Sequence, residues 1–428
     1  MKKDLEMKYL LVNHVPFGRT TNTGAYEVGD MWLEDLRSEC RVIRAAGGNL
    51  IVATPCMDRL ETVASGSFHR VTIKPEDEGF EYVALPYYDC WSAFLRVRRA
   101  LRGALRDAIG KSTIVQADPG GYPVPLGQVV WPIAGNMGRK RIWAFDGGDI
   151  IGQQHIWASE EPQWAKRWVK KMIVRQFVSF CRNEIRDADL VFSHNVSVAD
   201  HFRDVWNERC HQFDRTFVTE QMLVSDADLA ERGRGLLDIS KPLRLVAASR
   251  QIAIKATDHM LKAVAIAREQ GVTLKLDIYG DGEELPRYKQ VASELKLERE
   301  VAFHGSVPYG PELFKRLSES QVMVVTNVVP ELSRNLLLAM ARGLPLVAYN
   351  NPGHDAMLKA SGAGILVPTG DITRLADALI GAARDRARLV ELASSGLKTA
   401  RSKTLDGCHR QRIDLVLAML GRDAKLAA

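Results

Sequence analysis

Residues 322–349 read VMVVTNVVPELSRNLLLAMARGLPLVAY, and this stretch decides the fold. Val322 to Thr326 is apolar, β-branched and too short for a helix, which reads as a strand. Its hydrophobicity is continuous where a half-exposed strand would alternate, so both faces must be covered, as in a parallel sheet sandwiched by helices. Ser333 is placed to cap a helix that runs through Leu336-Leu337-Leu338-Ala339-Met340-Ala341 and stops at Gly343. A second strand, Leu344 to Tyr349, follows at once. The unit is β-α-β.

Working outward, strand-like runs recur at Leu243 to Ala248, Leu274 to Tyr279, Val301 to His304 and Gly364 to Val367, with helical periodicity between them. The spacing predicts a doubly wound domain over 242–406. The first half repeats the pattern, with strands expected at Lys8 to Asn13, Asn49 to Thr54, Tyr82 to Leu85, Thr113 to Gln116, Arg141 to Phe145 and Leu190 to Ser193. These predict a second Rossmann-like domain over 1–224, in which a Gly-rich turn, Gly18 to Gly24, follows the first strand. The polar stretch 225–241, with Gly233 and Gly235 inside it and Pro242 after it, reads as the linker. A last helix within 407–428 is placed to pack back on the first domain. Two such domains set carboxyl ends of strands toward a cleft, so the ligand site is expected between them.

The chain has 428 residues, 46% hydrophobic and 26% charged, which excludes disorder and collagen-like structure. No apolar run approaches the roughly 18 residues that cross a bilayer, and the amino terminus does not read as a secretory signal. A cytoplasmic location is the expectation. Six scattered cysteines, Cys40, Cys56, Cys90, Cys181, Cys210 and Cys408, form no C-x-x-C pair and read as reduced thiols.

Four junctions in the second half carry candidate chemistry. Ser249-Arg250 closes a strand and Lys255 stands at the mouth of the next helix, so the two cations are either a diphosphate clamp or solvated loop charges. Gly280-Asp281-Gly282 follows the second strand and allows close backbone approach. His304-Gly305-Ser306-Val307 runs from a strand into a turn suited to reading a base edge. Ser333, as cap, either aims the amides of Arg334, Asn335 and Leu336 at an anion or opens an ordinary core helix.

The order and spacing of these features resemble the GT-B retaining glycosyltransferases of family 4. The resemblance rests on Ser249-Arg250 with Lys255-Ala256, Gly280-Asp281-Gly282, Phe303-His304-Gly305 and Leu338-Ala339-Met340-Ala341-Arg342-Gly343-Leu344-Pro345. It implies an α/β chain of two facing Rossmann-like doubly wound domains with an interdomain cleft. It also implies transfer of a sugar from a UDP- or GDP-linked donor to a saccharide or lipid-linked hydroxyl acceptor, with retention, in surface polysaccharide or glycolipid assembly. The family's E-x7-E carboxylates fall here on Pro330 and Leu338, with Glu331 one residue late, so Glu331 either reaches the donor sugar or turns to solvent, and Leu338 stands at the ribose position, whose contact is lost or supplied elsewhere. Phe17-Gly18-Arg19 and Thr23-Gly24-Ala25 resemble the turn near the donor phosphate. Asp146 stands where a family histidine meets the reacting sugar, and is either that group or part of an Asp146-Gly147 turn. The turn from Asp118 to Tyr122 either lines the acceptor pocket or is an ordinary loop.

Two Asp-x-Asp strings, Asp187-Ala188-Asp189 and Asp226-Ala227-Asp228, do not end strands, so no metal and no other cofactor are expected. From Trp91 to Lys111 there are six basic residues against one acid, and from Gln163 to Arg175 five against none. Both segments are amphipathic, which fits either surface helices packed on the sheet or a basic face held on the anionic inner surface of a membrane. No nucleic-acid module is present. A nucleotide-sugar epimerase and a non-catalytic nucleotide-sugar binding subunit are the rival readings.

Overall fold

The computed structural model describes residues 7–21, 24–58, 70–121, 123–145, 151, 154, 158–159, 161–194, 196–213, 216–329 and 333–421. The chain divides into two compact units, one of residues 1–61, 70–215 and 408–428 and one of 62–69 and 216–407.

The first unit is built on a ten-stranded sheet. Its strands are β1 (Met7–Val12), β2 (Phe17–Arg19), β3 (Tyr26–Gly29), β4 (Gly48–Met57), β5 (Arg70–Ile73), β6 (Glu81–Pro86), β7 (Ile114–Ala117), β8 (Lys140–Phe145), β9 (Leu190–Ser193) and β10 (Cys210–Gln212). The order is β10-β9-β8-β7-β1-β4-β2-β3-β5, with β6 also paired to β4. Successive side chains of β1 point to opposite layers. Met7, Tyr9 and Leu11 enter a core shared with the helix Asp30–Ala45, while Leu10 and Val12 enter one shared with the helices Trp91–Lys111, Leu126–Asn136 and Trp164–Asp187. Continuous burial is what sets the apolar run in this strand.

The expected turn at Gly18 to Gly24 is an antiparallel hairpin, β2 against β3, with Gly18 opposite Glu27. Arg19 and Tyr26 are opposite partners closing it, and Gly24 sits in its loop at φ 80°. Periodicity missed it because a three-residue strand has too few side chains to alternate.

The second unit holds β11 (Leu243–Ala248), β12 (Leu274–Tyr279), β13 (Val301–Gly305), β14 (Val322–Val325), β15 (Leu346–Asn350) and β16 (Gly364–Pro368). All pairings are parallel, in the order β13-β12-β11-β14-β15-β16. Counted from β11, this is the 3-2-1-4-5-6 order of a dinucleotide-binding sheet.

The stretch expected as linker is mostly the helix Asp226–Leu237 of this second unit. Ser225 caps it, accepting from Asp228 N while the Asp228 side chain accepts from Ser225 N. Gly233 and Gly235 suggested a break, but Gly233 packs against Val390 of the helix Arg386–Ser402, where a small residue fits. The last helix, Leu405–Met419, buries Ile413, Val416 and Leu417 in the first unit's core. His409 Nε2 meets Asp35 at 3.1 Å and Arg412 donates to Gln116 at 3.1 Å.

The basic helices differ from each other. In Trp91–Lys111, Leu101, Leu105 and Ala108 are buried against the sheet. In Trp164–Asp187 no residue before Val174 is buried; Trp164 is 83% exposed and Trp168 63%. The helix is 24 residues long, about 36 Å at 1.5 Å per residue, whereas the six-residue β8 it follows spans roughly 20 Å.

All six cysteines are free thiols.

Candidate active site

In an open α/β sheet, ligands bind at the carboxyl ends of the two strands where the winding reverses direction. In the second unit those strands are β11 and β14. The loop leaving β11 carries Ser249, Arg250 and Lys255, and it is tied to the end of β14 by Thr326 Oγ1, which donates to the Lys255 carbonyl at 2.7 Å, and by Val328 N to Ile254 O at 3.0 Å. The helix Asn335–Ala341, which follows β14, is drawn to the same point because Asn335 Nδ2 donates to the Ala248 carbonyl. Arg250, Lys255, Ser333 and Asn335 are therefore brought together by the topology of one sheet.

Gly280 and Gly282 support this loop from behind. A Cβ on Gly280 would lie 1.9 Å from the Ser249 carbonyl oxygen, and one on Gly282 2.4 Å from that of Gln251. The space they leave is filled by the Arg250 loop, so the expected close approach is of backbone to backbone. Gln251, fully buried, was missed by the sequence reading. It donates to Ser249 O at 2.7 Å, accepts from Thr257 Oγ1 at 2.8 Å, and so locks the loop onto the helix Thr257–Glu269.

Arg334, directly before the helix, already has helical φ −57° and ψ −24° and makes no side-chain cap bond. Ser333 Oγ still accepts from Asn335 N at 3.4 Å, and its carbonyl accepts from Leu336 N at 3.1 Å. The Arg334 guanidinium lies over the Phe217 ring at 5.0 Å. Leu338 is buried in the apolar cluster of Val246, Tyr279 and Val325, and offers no polar group.

Beneath the helix start sits His354, wholly buried. Its Nδ1 is 2.8 Å from the Tyr349 carbonyl, so Nδ1 carries the proton and Nε2 accepts from Ser333 N at 3.4 Å. Burial pulls its pKa from 6.5 down to about 4; the Tyr349 carbonyl opposes this and the nearby Lys255 charge adds to it. A buried neutral imidazole thus holds the Ser333 backbone, with no local sequence signal to mark it.

His304 stacks on Tyr279, centroids 4.6 Å apart and planes 15° apart, while its Nε2 meets Asp277 at 2.7 Å. Gly305, at φ 70°, turns the chain away from β13, and its carbonyl accepts from Gly280 N at 2.7 Å. Ser306 is exposed and Val307 packs on the core below.

In the first unit the winding reverses between β1 and β7. Here the structure joins two residues 104 apart: His14 Nδ1 lies 3.0 and 3.1 Å from the two oxygens of Asp118. His14 was not among the residues singled out from sequence, and only the strand order brings it to Asp118. Asp146, Glu331 and Tyr122 lie outside the described residues.

Both Asp-x-Asp strings have structural roles. Asp189 pairs with Lys140 at 2.7 Å and accepts from Arg141 N, and Asp228 closes the cap with Ser225. Among the described residues no group of three or more His, Cys, Asp or Glu side chains is placed to hold a metal ion.

Residues 242–385 match the family model described as glycosyl transferases group 1. A 130-residue stretch is 28% identical to the UDP-N-acetylglucosamine–peptide N-acetylglucosaminyltransferase GtfA subunit of Streptococcus pneumoniae serotype 4, covering 30% of this chain and 25% of that protein. Over 158 residues the chain is 25% identical to the amylovoran biosynthesis glycosyltransferase AmsK of Erwinia amylovora, 36% of this chain and 39% of the relative. The matches thus span less than half of either relative. The crystal structure of Anabaena Alr3699/HepE in complex with UDP is similar over 96% of this chain and 100% of that one, with a TM-score of 0.68 and 15% identity. Residues 242–385 are thus similar to the glycosyl transferases group 1 family, within an α/β chain of the GT-B fold.

Proposed function

We propose that this chain transfers a sugar from a UDP- or GDP-linked donor to a hydroxyl of a saccharide or lipid-linked acceptor, in surface polysaccharide or glycolipid assembly at the cytoplasmic face of the cell membrane. The observation that carries the reading is the convergence of Arg250, Lys255 and the start of the helix Asn335–Ala341 on the β11 and β14 ends of a group 1 domain. As the bond from the anomeric carbon to the diphosphate breaks, negative charge grows on the departing oxygen. The cations of Arg250 and Lys255 stabilise that charge, the task a metal performs elsewhere. The reading therefore includes no metal. Retention of configuration belongs to it through the resemblance, as does Glu331 at the donor sugar and Asp146 at the reacting end. UDP in the structural relative supports a nucleoside diphosphate at this site. The test is release of UDP or GDP from UDP-glucose, UDP-N-acetylglucosamine and GDP-mannose with octyl β-glucoside as acceptor, the product's anomeric configuration being read by NMR. Glycoside formation supports the reading; epimerised donor, or binding without turnover, replaces it with one of the two rivals.

A lipid surface as partner is supported by the exposed first half of the helix Trp164–Asp187. Trp164, Trp168, Val169 and Ile173 occupy one half of its circumference and are exposed, while Lys166, Arg167, Lys170 and Lys171 occupy the other. Trp91 and Leu95, also exposed, begin the helix Trp91–Lys111 on the same layer and at the same edge of the sheet. Exposed tryptophan beside a basic face, in which Lys170 pairs with Glu161 at 2.8 Å, suits the interface of an anionic bilayer. No helix among the described residues is long and apolar enough to cross a membrane. Trp164→Ser with Trp168→Ser is expected to release the chain from vesicles of phosphatidylglycerol and phosphatidylcholine in flotation; wild-type chain that ignores such vesicles at low salt removes this partner.

A further inference from the structure

We infer that the side chains of Asn327 and Asn351 form a neutral amide seat, wholly within the second unit, that takes adjacent hydroxyl groups of the donor sugar. The inference rests on the nucleotide-sugar reading above and deepens it, because no described residue has yet been assigned to the sugar itself.

Both side chains are buried, Asn327 to 3% exposure and Asn351 to 4%, and in both the amide nitrogen Nδ2 has no hydrogen-bond partner among the described residues. A buried N–H without an acceptor bears the whole cost of leaving water. In Asn351 the two ends of the amide are told apart by their surroundings. Its Oδ1 accepts from His354 N at 3.0 Å and caps the helix Pro352–Ser361, so the end left over is the N–H end. Asn327 offers both ends, since no described residue bonds its Nδ2 or its Oδ1.

Topology makes the two amides neighbours. Asn327 follows β14 and Asn351 follows β15, and these strands pair with Val325 opposite Ala348. Continuing that register sets Asn327 level with Asn350, one residue before Asn351. The backbone of Asn327 is held from both sides: Thr326 Oγ1 donates to the Lys255 carbonyl at 2.7 Å, and Val328 N donates to the Ile254 carbonyl at 3.0 Å. Val328 is 39% exposed, so Asn327 lies at the rim of the sheet, beside the loop that carries Arg250 and Lys255. Asn351 is tied to the start of the helix Asn335–Ala341 through His354, whose Nε2 accepts from Ser333 N.

The chemistry of the pair selects the ligand group. A diphosphate calls for cations, and Arg250 and Lys255 supply them. A carboxamide is uncharged and carries a donor and an acceptor, which matches a hydroxyl, itself both. Adjacent hydroxyls of a pyranose can bond the two ends of the Asn327 amide together, while Asn351 Nδ2 donates to one of the same oxygens. The seat orients the sugar and takes no part in breaking its bond to the diphosphate.

The experiment measures dissociation constants of the full chain for UDP, GDP, UDP-glucose, UDP-N-acetylglucosamine and GDP-mannose by calorimetry, with denaturant unfolding of the same proteins. Asn327→Leu stays close in volume and removes both polar ends. It is expected to weaken the nucleotide sugar that wild type binds most tightly by about tenfold or more, to leave the matching nucleoside diphosphate within about twofold, and to raise the unfolding midpoint. Asn351→Ser keeps a cap oxygen for His354 N and removes the N–H; it is expected to show the same selective loss, and decides alone should Asn327→Leu fail to fold. An equal loss for nucleotide sugar and nucleoside diphosphate overturns the seat. A lowered midpoint with unchanged affinities also overturns it and assigns the amides to an internal water. If wild-type chain binds no nucleotide sugar and no nucleoside diphosphate, the nucleotide-sugar reading falls and the seat with it; if it binds them and the folded variants match it, the seat alone falls.

Discussion

Acid should loosen the donor site through one residue, His354. Its imidazole is neutral in the fold, with Nδ1 donating to Tyr349 O and Nε2 accepting from Ser333 N. Protonation turns Nε2 into a donor facing another donor, and places a cation in an apolar layer near Lys255. The fold resists this until about pH 4, whereas the unfolded imidazole titrates near 6.5. Between those values the unfolded state binds more protons, so stability rises with pH and is lost as pH falls from 6.5 toward 4. At about 1.4 kcal/mol for each tenfold change in proton affinity, the contribution is about 3 kcal/mol. His354→Gln keeps an acceptor for Ser333 N and removes the titration. Urea unfolding of both proteins from pH 7 to 4 should show wild type losing about 3 kcal/mol more than the variant. Because Ser333 stands at the start of the helix Asn335–Ala341, beside the ends of β11 and β14 assigned to the donor, UDP or GDP affinity should fall over the same window in wild type and less in the variant. Parallel stability curves would refute the reasoning.

Arg250→Ala and Lys255→Ala are each expected to reduce transfer by roughly a hundredfold, the usual cost of removing a charged transition-state stabiliser; wild-type turnover in both excludes the clamp. Gly280→Ala should cost about 2 kcal/mol or more in denaturant unfolding, since its Cβ meets the Ser249 carbonyl at 1.9 Å and φ is 121°. Excess chelator should leave transfer intact, and abolition with rescue by manganese or magnesium counts against metal-free neutralisation.

The parallel strands were legible because burial on both faces writes itself as an apolar run. β11 and β12 begin and end where the residues alone put them, at Leu243 and Ala248 and at Leu274 and Tyr279. The hairpin of β2 and β3 was not, since its strands are three and four residues long and partly exposed. The helix Asp226–Leu237 was hidden by its two glycines, although Ser225 with Asp228 spells a capping box of the kind that opens helices. At the candidate site, Arg250 and Lys255 could be singled out because one loop carries both. The supports were not. Gln251 acts through its burial and His354 through a backbone amide 21 residues away, and the His14 to Asp118 pair exists only once β1 and β7 are neighbours.

Nucleoside diphosphate binding, followed by denaturation and hydrogen exchange on the same samples, tests the central claim most directly. UDP or GDP at about 100 times its dissociation constant should add about 2.7 kcal/mol of stability. Protection should concentrate on residues 249–256 and 333–341, and Lys255→Ala should weaken both effects. Absence of stabilisation by any nucleoside diphosphate, or protection confined to segments away from the β11 and β14 ends, would contradict the assignment of this site.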